Sequence, residues 1–150
     1  MMDKIIVGID PGANGGVCFM ARERADAFPT KSLAELKSEL AELKRKGRPL
    51  KAFLEEVGGY IGKAQPGSAM FRFGRSMGEI VGLLTGLEIP FETVRPQVWQ
   101  KGLPGLAKLK GVERKRALKE IATQRHPELA PTLKTCDAIL IAEYGKNQER

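Results

Sequence analysis

The chain has 150 residues, enough for one domain with its own hydrophobic core, and is 42% hydrophobic and 29% charged, as soluble globular proteins are. Its formal net charge of +7 favours polyanionic partners, nucleic acid first. Much is excluded: the two cysteines, Cys18 and Cys136, lack metal-ligand spacing and suggest a reducing, cytoplasmic compartment; the single His126 builds no histidine-rich zinc site; Asp3 and Asp10 interrupt the N-terminal apolar run, so no signal peptide is expected; and no apolar stretch is long enough for a membrane span.

Residues 4–9 read as a buried strand, with Ile5, Ile6, Val7 and Ile9 β-branched and nearly continuous. The turn signal Asp10-Pro11-Gly12 ends it, Gly15-Gly16 opens a second run at 17–20, and 25–28 reads as a third short strand. Short turns between them predict an antiparallel meander. Ser32 is a fitting N-cap for a helix in which Leu33, Leu36, Leu40 and Leu43 recur at helical spacing, and Gly47 stops it. Residues 50–57 are strand-like and carry Glu55 and Glu56, and residues 60–68 read as a loop.

A helix is predicted over 71–87, with Gly74, Gly78, Gly82 and Gly86 at four-residue intervals. Each such glycine costs about 1 kcal/mol relative to alanine, so the stripe implies close packing, against the sheet of the same chain in the first instance or against a second subunit. Residues 90–94 form a strand, Pro96 starts a helical turn containing Trp99, whose expected role is packing, and 101–111 is a basic loop. Residues 112–125 form a helix with Leu118 and Ile121 inward, Pro127 breaks it, and 135–144 form a last helix followed by a charged, frayed tail. His126 is read as a helix-terminal histidine. The order is a mixed sheet with helices on its faces, in one domain spanning residues 1–150.

Three acids stand out by their surroundings. Asp10 ends an aliphatic strand, Glu55 lies in Phe53-Leu54-Glu55-Glu56-Val57, and Asp137 starts the apolar run Ala138-Ile139-Leu140-Ile141-Ala142. Acids are rare in such places unless paired or bound to metal. Two strand ends and a helix start can converge on one sheet edge, and oxygen ligands suit magnesium or manganese. Blander roles stay open: Asp10 as a turn former, Asp137 as an N-cap or dipole partner, and Glu56 as the solvent-facing neighbour of Glu55.

Five segments, in order and spanning nearly the whole chain, carry a resemblance. They are Gly8-Ile9-Asp10-Pro11-Gly12 with Gly15-Gly16, Leu54-Glu55-Glu56-Val57, the segment from Met70 to Gly78 (Met-Phe-Arg-Phe-Gly-Arg-Ser-Met-Gly), the segment from Val94 to Lys101, and the segment from Asp137 to Gly145. Together they resemble the RuvC-type Holliday-junction resolvases, especially the phage and bacterial RuvC-like proteins of the ribonuclease H-like superfamily. The resemblance implies an α/β fold with a mixed sheet, its first three strands antiparallel and the later ones parallel, flanked by helices.

It also implies an activity: magnesium-dependent cleavage of four-way DNA junctions in a bacterial or phage-infected cell, leaving 5′-phosphate and 3′-hydroxyl ends. Two metal ions per site are expected, with manganese able to replace magnesium. Asp10 would bridge them, and Glu55 and Asp137 would each help hold one. One metal would lower the pKa of the attacking water and the other would stabilise the leaving 3′ oxygen. The family carries a further acid or a histidine three or four residues before the last aspartate, where this chain has Leu133 and Lys134. That departure leaves three outcomes open: a weaker second metal, partial replacement of its charge by Lys134, or reduced activity.

The resemblance further implies that the segment after Glu55 enters the junction. Lys63, Arg72 and Arg75 would hold phosphates and Phe71 would stack on a base, while Phe73 is expected in the core. Lys101, Lys108, Lys110, Arg114 and Lys115, with Arg116, form a second basic stretch, read as DNA-backbone contacts or as a solvated helix face. Two cuts from a chain with one site imply a homodimer. The rivals are a YqgF-type RNA-processing nuclease and a junction-binding protein with weak or lost catalysis. An actin-like kinase would need two such domains.

Overall fold

The computed structural model describes residues 3–56 and 67–150. Lys63, the last residue of the predicted 50–57 strand and most of the predicted 60–68 loop lie outside the described residues.

A sheet of five strands is built in the order β3-β2-β1-β4-β5. β1 (Ile5–Asp10), β2 (Gly16–Met20) and β3 (Ala25–Pro29) form the expected antiparallel meander, while β4 (Leu50–Glu55) pairs parallel to β1 and β5 (Phe91–Val94) parallel to β4. Helix α1 (Leu33–Arg45) joins β3 to β4, and α2 (Gly67–Gly86) precedes β5. A short turn of helix, α3 (Pro96–Trp99), leads into the basic loop, followed by α4 (Gly111–Arg125), a 3-10 turn at Pro127–Leu129, and α5 (Cys136–Gln148).

The strand period of two sorts β1 between two cores. Ile5, Val7 and Ile9 pack with Leu36 and Leu40 of α1 and Ile80 and Leu84 of α2. Ile6 faces the other way, with Phe53, Leu118, Ile139 and Ala142, on the side of α4 and α5. Gly8 lies on this second face, and a Cβ there would run into the backbone of α5 at Ala138 and Ala142. A Cβ on Gly145, one turn on, would run into the side chains of Phe53 and Ile6. A row of small residues thus lets α5 lie directly on β1.

Capping is as expected at α1, where Ser32 accepts from the Glu35 amide and Glu35 accepts from the Ser32 amide. Four expectations change. Helix α2 begins at Gly67, four residues before the predicted start. Its glycines at 74, 78, 82 and 86 have nothing within 4 Å of an added Cβ among the described residues, so the sheet does not explain them. Phe73 is 44% exposed rather than in the core, because the N-terminal half of α2 buries little of its surface. The C-terminal tail is not frayed: α5 runs to Gln148, and Glu149 pairs with Lys4 at 2.7 Å and Lys51 at 3.8 Å.

Candidate active site

β1 and β4 run parallel in a register that sets Ile9 opposite Leu54. The next residue of each strand is an acid, so Asp10 and Glu55 sit side by side at the C-terminal edge of the sheet, the edge where parallel α/β sheets present their sites. Both point to the α5 side, as Phe53 does. The close seat of α5 on Gly8 brings its first turn over the same edge and carries Asp137 there. One carboxylate oxygen from each of Asp10, Glu55 and Asp137 lies within 4.8 Å of the others, and all three residues are buried.

The loop after Asp10 is shaped to fold back on it. Gly12 has φ +104°, a left-handed conformation that suits glycine, and the Gly15 amide donates to the Gly12 carbonyl at 3.1 Å. A Cβ on Gly15 would strike the Asp10 carbonyl. Phe73 of α2 lies beside this loop, its ring edge 4.0 Å from where a Gly12 Cβ would stand.

Burial, then the negative charges of Glu55 and Asp137, push Asp10 up to about 8. Burial and the charge of Asp137 push Glu55 up to about 7. Such a cluster resists losing all its protons unless a cation joins it.

Two partners moderate the repulsion. Trp99 is the protein's single tryptophan and is 3% exposed; its indole Nε1–H donates to Glu55 Oε2 at 2.7 Å. Lys115 donates from Nζ to Asp137 Oδ2 at 2.7 Å and lies 3.8 Å from Asp10 Oδ2. Burial works against the Lys115 charge, but Asp137 and Asp10 outweigh it and hold its pKa above the usual lysine range. The Cys136 thiol donates to the other Asp137 oxygen at 3.5 Å. Burial and the Asp137 charge push this thiol up to about 12, so it stays a donor. Just before α5, Thr132 and Thr135 cap each other, each side-chain oxygen accepting from the other's amide.

The remaining candidates fall in three groups. Phe71, Arg72 and Arg75 are exposed on α2, Phe71 at 68%, with Arg75 paired to Glu79 at 2.9 Å. Lys101, Lys108 and Lys110 are exposed on the loop between α3 and α4, and Arg116 is exposed on α4. Arg114 and Lys115 turn inward: Arg114 donates to Gln100 and to loop carbonyls, and Lys115 to the acids.

Lys134, considered as a charge substitute, is exposed and makes no ion pair among the described residues; the cation at the acids is Lys115. The contacts of Trp99 and Lys115 with the acids escaped sequence reasoning. For Trp99 a signal existed, since a buried indole N–H needs an acceptor. For Lys115 none did, because a lysine in a basic run reads as solvated.

No protein-family model matches the sequence, and no curated protein matches it. Among solved structures the chain is similar to RuvC of Thermus thermophilus, at 16% identity and a TM-score of 0.61 over 97% of this chain and 96% of that one. It is similar also to T. thermophilus RuvC in complex with Holliday junction substrate, at 15% identity and a TM-score of 0.60 over 99% of this chain and 97% of that one. At such identities the likeness is one of fold: the chain has a RuvC-like, ribonuclease H-like fold.

Proposed function

We propose that the chain is a divalent-metal-dependent endonuclease that cuts four-way DNA junctions as a homodimer. The observation that carries this reading is the buried convergence of Asp10, Glu55 and Asp137 at one edge of a RuvC-like fold. The donor set fits a hard cation: three carboxylates, within 4.8 Å of one another, two of them pushed well above the usual carboxylate range by burial and mutual repulsion that a bound cation would relieve. Asp10, Glu55 and Asp137 would together hold the metal. Bound magnesium or manganese would supply an activated water and charge stabilisation at the leaving 3′ oxygen.

The chain's own residues do the rest. Trp99, itself buried, fixes the rotation of Glu55. Lys115 neutralises part of the triad's charge and lets the acids stay together without metal. Lys101, Lys108 and Lys110 offer exposed cations for the DNA backbone, as do Arg72 and Arg75 across α2, and Phe71 offers a ring for an unpaired base. Two symmetric cuts require two sites, and the exposed glycine face of α2 supports pairing of two copies through that helix.

A second reading, a junction binder with weak catalysis, is favoured by one observation. No fourth carboxylate joins the three among the described residues, and a lysine already engages two of them. Offering the protein a synthetic four-way junction, a linear duplex and a structured RNA, each in magnesium and in manganese, separates the readings. Junction-selective cleavage supports the resolvase, binding without cleavage supports the second reading, and cleavage confined to RNA contradicts both.

A further inference from the structure

Trp99 and Lys115 reach the acids from different elements, yet their chain neighbours are bonded to each other. Gln100 follows Trp99, and Arg114 precedes Lys115. Arg114 Nε and Nη2 both donate to Gln100 Oε1, at 2.9 and 2.7 Å. Its Nη1 donates to the carbonyls of Leu106 and Leu109, at 2.9 and 3.2 Å. All three guanidinium nitrogens are therefore engaged with Gln100, the C-cap of α3, and the loop that follows it. The N-cap of α4, Lys110, makes no capping bond, so among the described residues Arg114 is the side-chain tie from the start of α4 to the segment before it, while Lys115 ties it to the acids. The loop between holds Gly102 and Gly105 at positive φ, and one non-glycine residue there, Lys108 at φ 66°. Leu106 anchors the middle of this loop in the core, and Arg114 adds the side-chain bond between its two ends.

We propose that Arg114 is a positioning residue: its fork locks α3 to the start of α4, so that the Trp99–Glu55 and Lys115–Asp137 contacts form and break together. The guanidinium suits this task because its planar donors serve one acceptor at the C-cap of α3 and two on the loop at once; a lysine offers a single nitrogen. The bond between Trp99 and Glu55 on one side of the triad and that between Lys115 and Asp137 on the other then belong to one rigid unit running from Pro96 to Lys115. The exposed Lys101, Lys108 and Lys110 sit on the same unit, so a polyanion seated there would press on both contacts. The bearing of this unit on catalysis rests on the function proposed above, whereas its geometry does not.

The test uses the full chain without metal, in chelator. The single tryptophan gives one indole N–H resonance in a 15N correlation spectrum, whose hydrogen exchange reports the bond to Glu55. Brief acylation with limiting acetic anhydride, mapped by mass spectrometry against exposed Lys101, reports the engagement of Lys115. In Arg114→Lys, indole exchange is expected to quicken at least ~10-fold and Lys115 acylation at least ~5-fold. Gln100→Leu removes the acceptor while leaving Arg114 and its loop contacts, and is expected to move both readouts the same way; it decides the matter if Arg114→Lys does not fold. Both readouts unchanged would overturn the proposal, and movement of one without the other would overturn the coupling it asserts. Neither outcome depends on DNA cleavage, so loss of the proposed function and loss of this inference are told apart.

Discussion

The indole of Trp99 donates to the carboxylate of Glu55 across 2.7 Å, joining residues 44 apart in sequence at a buried position. The bond fixes which Glu55 oxygen is free to meet a cation. Trp99→Phe retains much of the ring and removes the donor. It is expected to lower stability by about 1–3 kcal/mol and to weaken manganese binding by about 10-fold or more. Urea unfolding and a manganese titration read the two effects; unchanged manganese affinity would sever Trp99 from the site.

Lys115 stands among the acids as a built-in cation. Lys115→Met is expected to destabilise the metal-free protein by about 1–3 kcal/mol, since it leaves buried carboxylates without their partner. Magnesium should narrow the gap between variant and wild type, because an added cation takes over the neutralisation. Thermal unfolding with and without magnesium is the check, and a gap that widens with magnesium would contradict it.

The raised acids set a pH dependence of definite sign. Asp10, pushed up to about 8, and Glu55, up to about 7, keep protons in the folded state that the unfolded chain has released. The folded state therefore binds more protons between the ordinary carboxylate range and about 8, so metal-free stability falls as pH rises through that window. Metal must displace the same protons, so its affinity rises over the same window. Melting in chelator from pH 5 to 8, for wild type and for Asp10→Asn, isolates the contribution: the wild-type curve should fall relative to the variant's. A parallel pair of curves would remove Asp10 as the source.

Two kinds of glycine make opposite predictions. Gly8→Ala drives a methyl into the α5 backbone and is expected to cost about 3 kcal/mol or more. Gly78→Ala meets nothing within 4 Å among the described residues and should stabilise the folded chain by up to about 1 kcal/mol. If the α2 glycine face pairs two copies, Gly78→Glu should shift the mass in solution from dimer to monomer. Denaturation and light scattering measure these, and a wild-type monomer at micromolar concentration would contradict the dimer.

The two glycine sets also show where sequence reasoning reached its limit. The α2 stripe was visible by its spacing, and close packing on the sheet was expected of it; the small residues that do pack closely are Gly8, Ala138, Ala142 and Gly145, split between a strand and a distant helix. The meander, β4 and the acids were legible because period-two alternation and a charge inside an apolar run are local signals. Parity also placed Asp10 and Glu55 on one face once β1 and β4 were paired. Trp99 and Lys115 were not assigned to the acids because their partners are 44 and 22 residues away, set by the packing of α3, α4 and α5 rather than by any local pattern. The early start of α2 escaped because Gly67 and Ser68 carry turn chemistry that the helix overrides.

Cleavage of a labelled four-way junction in magnesium, with wild type beside Asp10→Asn, tests the central claim most directly. Wild type should leave a pair of symmetric nicks in the junction and spare a matched linear duplex, while Asp10→Asn should bind the junction and leave it whole. Retained cleavage by Asp10→Asn would contradict the assignment of the acidic triad as the catalytic centre.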